Sequence, residues 1–241
     1  MVFLVYGWRG RIGLIVPSSN TTMESEFWKA VPSGVSIHVS RGFQVITTAE
    51  GLRTLHEEAV HEVRKLATAE VDVIVFGCTT GSLLEGVEWE RSLRENLEKV
   101  SNTKVITTSQ AIVEAFKVLG AKKLVVATPY VEDLNIREKK FLEDNGFKVL
   151  SIKGLGIIKN TEIGKQPPWV AYRLALEVAQ GSDADLVFIS CTNFRTFEVI
   201  EPLESKLGVP VVSSNTASLW LALRTIGIRD KLPYGRLLRE F

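Results

Sequence analysis

The chain alternates short apolar runs with stretches in which apolar residues recur every three or four positions. Residues 11–17, Arg-Ile-Gly-Leu-Ile-Val-Pro, read as a buried strand ended by proline. Ser18-Ser19-Asn20-Thr21-Thr22 then supplies capping side chains ahead of a helix at 23–30. A strand is predicted at 35–39. Leu52, Leu55, Ala59, Val63 and Leu66 fall on one face at helical spacing, which predicts an amphipathic helix over 50–69. A strand at 71–76, a helix at 88–100, a strand at 104–107 and a helix at 110–119, stopped by Gly120, complete the series.

The series then restarts. Residues 123–129, Lys-Leu-Val-Val-Ala-Thr-Pro, form a second apolar run closed by proline. A helix at 132–143 stops at Asn145-Gly146, and a strand follows at 147–152. A helix at 168–180 carries proline in its first turn. A strand at 186–189, a helix at 194–206, a strand at 209–212 and a helix at 216–226 follow. Pro17 and Pro129 lie 112 residues apart, and the only two cysteines, Cys78 and Cys191, lie 113 apart. Each cysteine ends an apolar run and precedes a threonine: Asp72-Val-Ile-Val-Phe-Gly-Cys-Thr-Thr80 and Asp185-Leu-Val-Phe-Ile-Ser-Cys-Thr-Asn193.

This is the pattern of a duplicated α/β chain. Two pseudo-twofold-related halves, 8–120 and 121–227, each build a parallel, Rossmann-like sheet, with helices free to exchange between them. Near-continuous apolar strands suit sheets covered on both faces. In such folds ligands bind beyond the carboxyl ends of the strands. Both prolines and both cysteines sit at those ends, so the active site is expected between the halves.

Composition narrows the classes. The 241 residues are 45% hydrophobic and 24% charged, ordinary for a globular protein. A net charge of +1 gives no field that favours nucleic acid or an anionic membrane. No apolar run approaches the roughly 20 residues that span a bilayer. The opening residues lack a basic stretch and a small-residue cleavage site, so the chain reads as cytoplasmic. Two cysteines make no disulfide scaffold. His38, His56 and His61 lie far from both Cys-Thr motifs, so no metal site is expected.

A lone cysteine after a strand is most often a small buried residue. Two at matching positions of a repeat, each before threonine, point instead to two thiols facing one cleft. A strand that leads into a helix sets its thiol near helix N–H groups, which predicts a lowered thiol pKa at both sites. Thr79, Thr80, Thr192 and Asn193 place short polar groups beside the sulfurs, and Gly81 admits a close backbone approach. Ser18, Ser19 and Asn20 add donors from the first loop, and Tyr130 from its counterpart after Pro129. For Asn20 alone a helix cap is an equal reading, and for Tyr130 a packed aromatic. His56 and His61, among Glu57, Glu58, Glu62 and Arg64, read as a solvated helix face, and Trp89, Trp169 and Trp220 as packing residues. Trp220-Leu221-Ala222-Leu223 is core or a subunit contact.

The segment Arg11 to Glu24 resembles the opening motif of maleate cis–trans isomerases, within the aspartate/glutamate racemase superfamily that also holds arylmalonate decarboxylase and hydantoin racemase. Cys78-Thr-Thr-Gly-Ser82, Thr128-Pro-Tyr130 and Cys191-Thr-Asn-Phe-Arg-Thr196 match the same family, and the resemblance spans roughly residues 8–227. Thr80 departs from the serine of many members, keeping the hydroxyl and adding a methyl. The resemblance implies a cofactor-independent conversion of maleate to fumarate. Cys78 as thiolate adds to the alkene, Cys191 is its acid/base partner, and rotation and elimination follow. It implies that Asn20 and Tyr130 bind or polarise the carboxylates of a small dicarboxylate, with Asn160 matching a third polar, substrate-binding position; a homo-oligomer, dimer or higher, is also expected. Racemisation of an amino acid or hydantoin by two opposed thiols is the second reading. A decarboxylase of the arylmalonate type, which typically keeps only the second cysteine, is the third. A binding module without turnover and a redox sensor are the non-catalytic and thiol-switch alternatives.

Overall fold

The computed structural model describes residues 5–241. The first half runs β1 (Gly10–Pro17), α1 (Met23–Ala30), β2 (Val35–Gly42), α2 (Ala49–Ala67), β3 (Val73–Phe76), α3 (Thr79–Leu83), α4 (Val87–Ser101), β4 (Lys104–Thr107) and α5 (Thr108–Val118). The second runs β5 (Lys123–Thr128), α6 (Glu132–Asp144), β6 (Lys148–Gly154), α7 (Asn160–Gly164), α8 (Pro168–Ala179), β7 (Leu186–Ile189), α9 (Ile200–Leu207), β8 (Val211–Ser213) and α10 (Ser214–Thr225), with α11 (Arg236–Glu240) after it. The strands form two all-parallel four-stranded sheets, ordered β2-β1-β3-β4 and β6-β5-β7-β8. The α/β duplication expected from the sequence is therefore present.

Strand alternation sorts each sheet's side chains into two apolar layers. Leu14, Val75, Val126 and Phe188 face one layer with α5 and α10, while Ile15, Ile74, Val125 and Val187 face the other with α2 and α8. Both layers draw on both halves. Helix α10 packs on α5 and reaches β3 and β4 of the first sheet, so the halves share a helical seam. Trp220 of α10 is buried there and belongs to the core. Each buried leucine on α2 contributes roughly 2 kcal/mol relative to exposure.

Small polar details are duplicated with the frame. Asp72 accepts the Arg11 N–H at 2.7 Å, and Asp185 accepts those of Lys122 and Lys123 at 2.9 and 2.8 Å. Thr107 caps α5 and Ser213 caps α10 through side-chain oxygens.

Three expectations are corrected. The helix expected at 194–206 begins only at Ile200, because the amides of Thr196 and Phe197 bond to the Glu26 carboxylate of α1 (2.7 and 3.0 Å). His56 is not on a solvated face: its ring lies 4.3 Å from that of Trp89, and its Nε2 meets the Gly81 carbonyl at 2.6 Å. Trp169 is exposed rather than packed in the core, with Arg173 stacked over its ring. Among the described residues no helix is long and apolar enough to cross a membrane.

Candidate active site

Strand β3 continues one bond past its end, where the Gly77 N–H donates to the Ile15 carbonyl at 2.7 Å. Gly77 is required there, since a Cβ would come within 2.7 Å of Met23 Sδ and 2.9 Å of the Ile15 oxygen. Cys78 then stands at the N-cap of α3 in extended conformation. The Gly81 amide and the Thr80 hydroxyl lie near its sulfur and favour its thiolate. A Cβ at Gly81 would meet that sulfur at 2.9 Å, so glycine is what lets the helix close around the thiol.

Cys191 reaches the same region differently. Its φ is +95°, in the left-handed region that L side chains rarely adopt. Neighbouring bonds hold it there. The Cys191 N–H donates to Ser214 Oγ at 3.0 Å, and the Asn193 N–H reaches back to the Cys191 sulfur at 3.4 Å. The Thr192 hydroxyl donates to the Gly77 carbonyl, next to Cys78, at 3.1 Å.

Polar side chains tie the two cysteine loops together. Thr79 Oγ1 donates to Ser214 Oγ at 2.8 Å, linking the helix of one thiol to the backbone of the other. Asn20 Nδ2 donates to Thr192 Oγ1 at 3.1 Å, while its Oδ1 accepts the amides of Thr22 and Met23, both at 3.0 Å. Asn20 thus closes the turn ahead of α1, whose N-cap is Thr22, and is also a site residue. Asn193 Oδ1 accepts the Thr21 amide (2.9 Å), and its Nδ2 donates to the Asn160 carbonyl (2.8 Å). Asn160 Nδ2 donates to Ser19 Oγ (2.8 Å), which donates to the Gln44 carbonyl at 2.5 Å. Residues 43–48 form a strap over these loops, with Thr47 N–H bonded to the Ile158 carbonyl at 2.8 Å and Ile46 bridged to Lys159. The buried Tyr130 phenol faces the Cys191 sulfur and influences its acidity.

The structure therefore gathers Ser19, Asn20, Thr79, Thr80, Tyr130, Asn160, Thr192 and Asn193 around Cys78 and Cys191. Ser18 is drawn aside, its hydroxyl bonded to the backbone of Gln44 in the strap. Sequence reasoning missed Ser214, Ser190, Glu26 and Glu138. Their only sequence signal is positional: Glu26 and Glu138 are 112 residues apart, the offset of the two prolines.

Electrostatics overturn one expectation. Burial pushes Cys78 up to about 11 and Cys191 up to about 12, and the Cys191 thiol is raised further by negative charge on Cys78 and Glu138. The amide and hydroxyl donors favour the thiolates but are outweighed by desolvation. At Cys191 the expected helix N-terminus is absent, since the chain stays irregular to Ile200. Both thiols are 5% exposed and free. A buried thiol pair inside a neutral shell of hydroxyls and amides can handle a proton and a developing negative charge, as an enzyme site does.

Residues 12–238 match the arylmalonate decarboxylase family, and the chain belongs to it. It is similar to the maleate isomerase of Geobacillus stearothermophilus, 28% identical with 92% of this chain and 94% of the relative covered. The fold is similar to a cysteine-to-alanine variant of a Pseudomonas putida maleate isomerase solved with maleate, at 26% identity and TM-score 0.91 over 95% of this chain and 97% of that one. It is likewise similar to a cysteine-to-serine variant of the Nocardia farcinica maleate cis–trans isomerase holding a covalent succinylcysteine intermediate, at 27% identity and TM-score 0.89 over 96% and 99% of the two chains. With these relatives, the chain is an isomerase of that family.

Proposed function

We propose that the chain converts maleate to fumarate, with Cys78 as nucleophile and Cys191 as acid/base partner. The observation that carries this is the pair of buried thiols at equivalent strand ends, in a site whose donors are uncharged. The succinylcysteine held by the Nocardia farcinica relative supports the covalent route.

The steps balance on these side chains. Cys78 enters the cycle as thiolate, its proton having passed to solvent before substrate binds, and its sulfur forms a bond to one alkene carbon of maleate. The π electrons move toward the far carboxylate, and the Cys191 thiol delivers its proton to the neighbouring carbon. The former double bond is then a single bond and rotates. Cys191 thiolate removes the proton again, the double bond re-forms, and the C–S bond breaks to return Cys78 thiolate. The Gly81 amide and Thr80 hydroxyl favour thiolate at Cys78 as it attacks and leaves. Asn20 Nδ2 and Asn160 Nδ2 now bond to Thr192 and Ser19, and they re-aim at the carboxylates when substrate replaces those partners. The site must open to admit substrate, because both cysteines are buried.

Proton NMR in D2O with maleate, aspartate, glutamate and a hydantoin tests this reading. Fumarate forming from maleate is the expected result. Exchange of the alpha proton of an amino acid, with maleate untouched, would overturn it in favour of a racemase.

A further inference from the structure

Among the described residues, two buried carboxyls make no ion pair, Glu26 and Glu138, although Arg195 acts on Glu26 at longer range. Glu26 has an evident structural task, accepting two amides and the Asn215 side chain (2.6 Å) across the seam. Glu138 does not. It is 0% exposed, one carboxyl oxygen accepts only the Ser190 hydroxyl at 2.6 Å, and the other has no partner. A buried carboxyl with an empty oxygen is costly, and an apolar side chain would suit the neighbouring Leu134, Phe141 and Leu142 of α6 better.

Ser190 immediately precedes Cys191, and its hydroxyl lies 3.5 Å from the Tyr130 hydroxyl. Tyr130 in turn faces the Cys191 sulfur. Glu138, Ser190, Tyr130 and Cys191 thus form one chain of groups. Its two middle members have a single hydroxyl proton each, so the chain has a direction. With Glu138 protonated, each group can donate toward the sulfur: carboxyl to Ser190, Ser190 to Tyr130, Tyr130 to Cys191. That order favours the thiolate. With Glu138 ionised, Ser190 must donate back to the carboxylate, and a second negative charge faces the sulfur.

We propose that Glu138 is a positioning residue whose protonation sets the direction of the Ser190–Tyr130 chain and through it the acidity of Cys191. This rests on Cys191 being the acid/base partner, and it extends that reading to the residue that controls it. Burial holds Glu138 up to about 8, so it is protonated at neutral pH. The titratable groups facing it are Tyr130 and Cys191. Helix α3 and strand β7 carry no charge, Lys148 and Lys153 of β6 are exposed, and on α6 Arg137, Lys139 and Lys140 pair with Asp133, Glu143 and Asp144.

The test uses Cys78→Ser protein, in which Cys191 is the only thiol, and reads the pH dependence of its alkylation by iodoacetamide. Glu138→Gln keeps a donor for Ser190 without charge, and Glu138→Leu keeps neither. The expected result is Cys191 reactivity at pH 7, where the parent's Glu138 is protonated, at or above the parent in the Gln variant and about tenfold below it in the Leu variant. Ser190→Ala, which cuts the chain without touching α6, is expected to match the Leu variant. In the two-cysteine protein, Glu138→Leu lowers kcat for maleate with KM unchanged. Superimposable alkylation profiles across folded Gln, Leu and Ser190→Ala proteins would overturn the inference. The alkylation readout needs no turnover. If the profiles move while wild-type protein leaves maleate untouched, the isomerase reading fails and the chain of groups stands.

Discussion

In the first half, the strand that carries Cys78 runs straight into a helix; in the second, the strand that carries Cys191 runs into irregular chain from 192 to 199. The sheets, their order and the capped seam helices repeat almost without change. What differs is the first few residues past each strand. Gly81 sits where an offset of 113 residues places Phe194, so only the first half can wrap a helix turn around its sulfur. Cys78 meets an amide and a threonine hydroxyl, while Cys191 meets an amide and a phenol linked to a buried carboxyl. A duplicated frame thus delivers two equal thiols, and the loops make them chemically unequal.

The strongest way to break that inequality is to remove each sulfur in turn. Cys78→Ser is expected to lower kcat for maleate by more than about 10⁴-fold, as loss of a nucleophile does. Cys191→Ser is expected to cost about 10²–10⁴-fold, the range for a general acid/base. Intact-mass measurement after incubation with maleate separates the roles, with a covalent adduct in Cys191→Ser and none in Cys78→Ser. The reverse pattern would exchange the roles assigned to the two halves.

Gly81→Ala probes the first half alone. The added methyl would press on the Cys78 sulfur at 2.9 Å and displace it from the amide that supports its thiolate. A kcat lower by about 10²-fold is expected, with the Cys191 alkylation profile unmoved. If the Cys191 profile shifted as well, the two sulfur environments would be coupled through more than their charges.

The sheets and both thiols were legible because they are written in local pattern: apolar runs of strand length, helical spacing on α2, and a duplicated Cys-Thr. Asn20, Thr79, Thr80, Thr192 and Asn193 were legible because they adjoin those signals. Glu26 and Glu138 were not. A glutamate on a short amphipathic helix reads as solvated, and only the opposite half, packed over it, makes it buried. Ser214 escaped for the same reason, since its partners Thr79 and Cys191 come from distant segments. The positive φ of Cys191 has no local signal, because glycine and asparagine are the residues that announce that conformation. The expected fall in thiol pKa failed because sequence shows the helix N–H groups but not the depth of burial set against them.

The mildest test compares Glu26 with Glu138, the matched carboxyls of the two halves. Burial raises both above the ordinary carboxylate value of 4.5, Glu26 to about 7 and Glu138 to about 8. The folded state therefore favours their protonated forms. The stability this contributes is fully present below pH 4.5 and is lost as pH rises through 7 for Glu26 and through 8 for Glu138. Urea unfolding of the wild-type protein is expected to show lower stability at pH 9 than at pH 5. Glutamine does not titrate, so each Glu→Gln variant removes its own share of that fall. Glu26 keeps three donors for its charge and Glu138 one, so the share removed by Glu138→Gln is the larger, by on the order of 1 kcal/mol. Equal shares would mean that the opposite half solvates both carboxylates alike, and the contrast between a carboxyl that ties the seam and one that serves a thiol would lose its energetic basis.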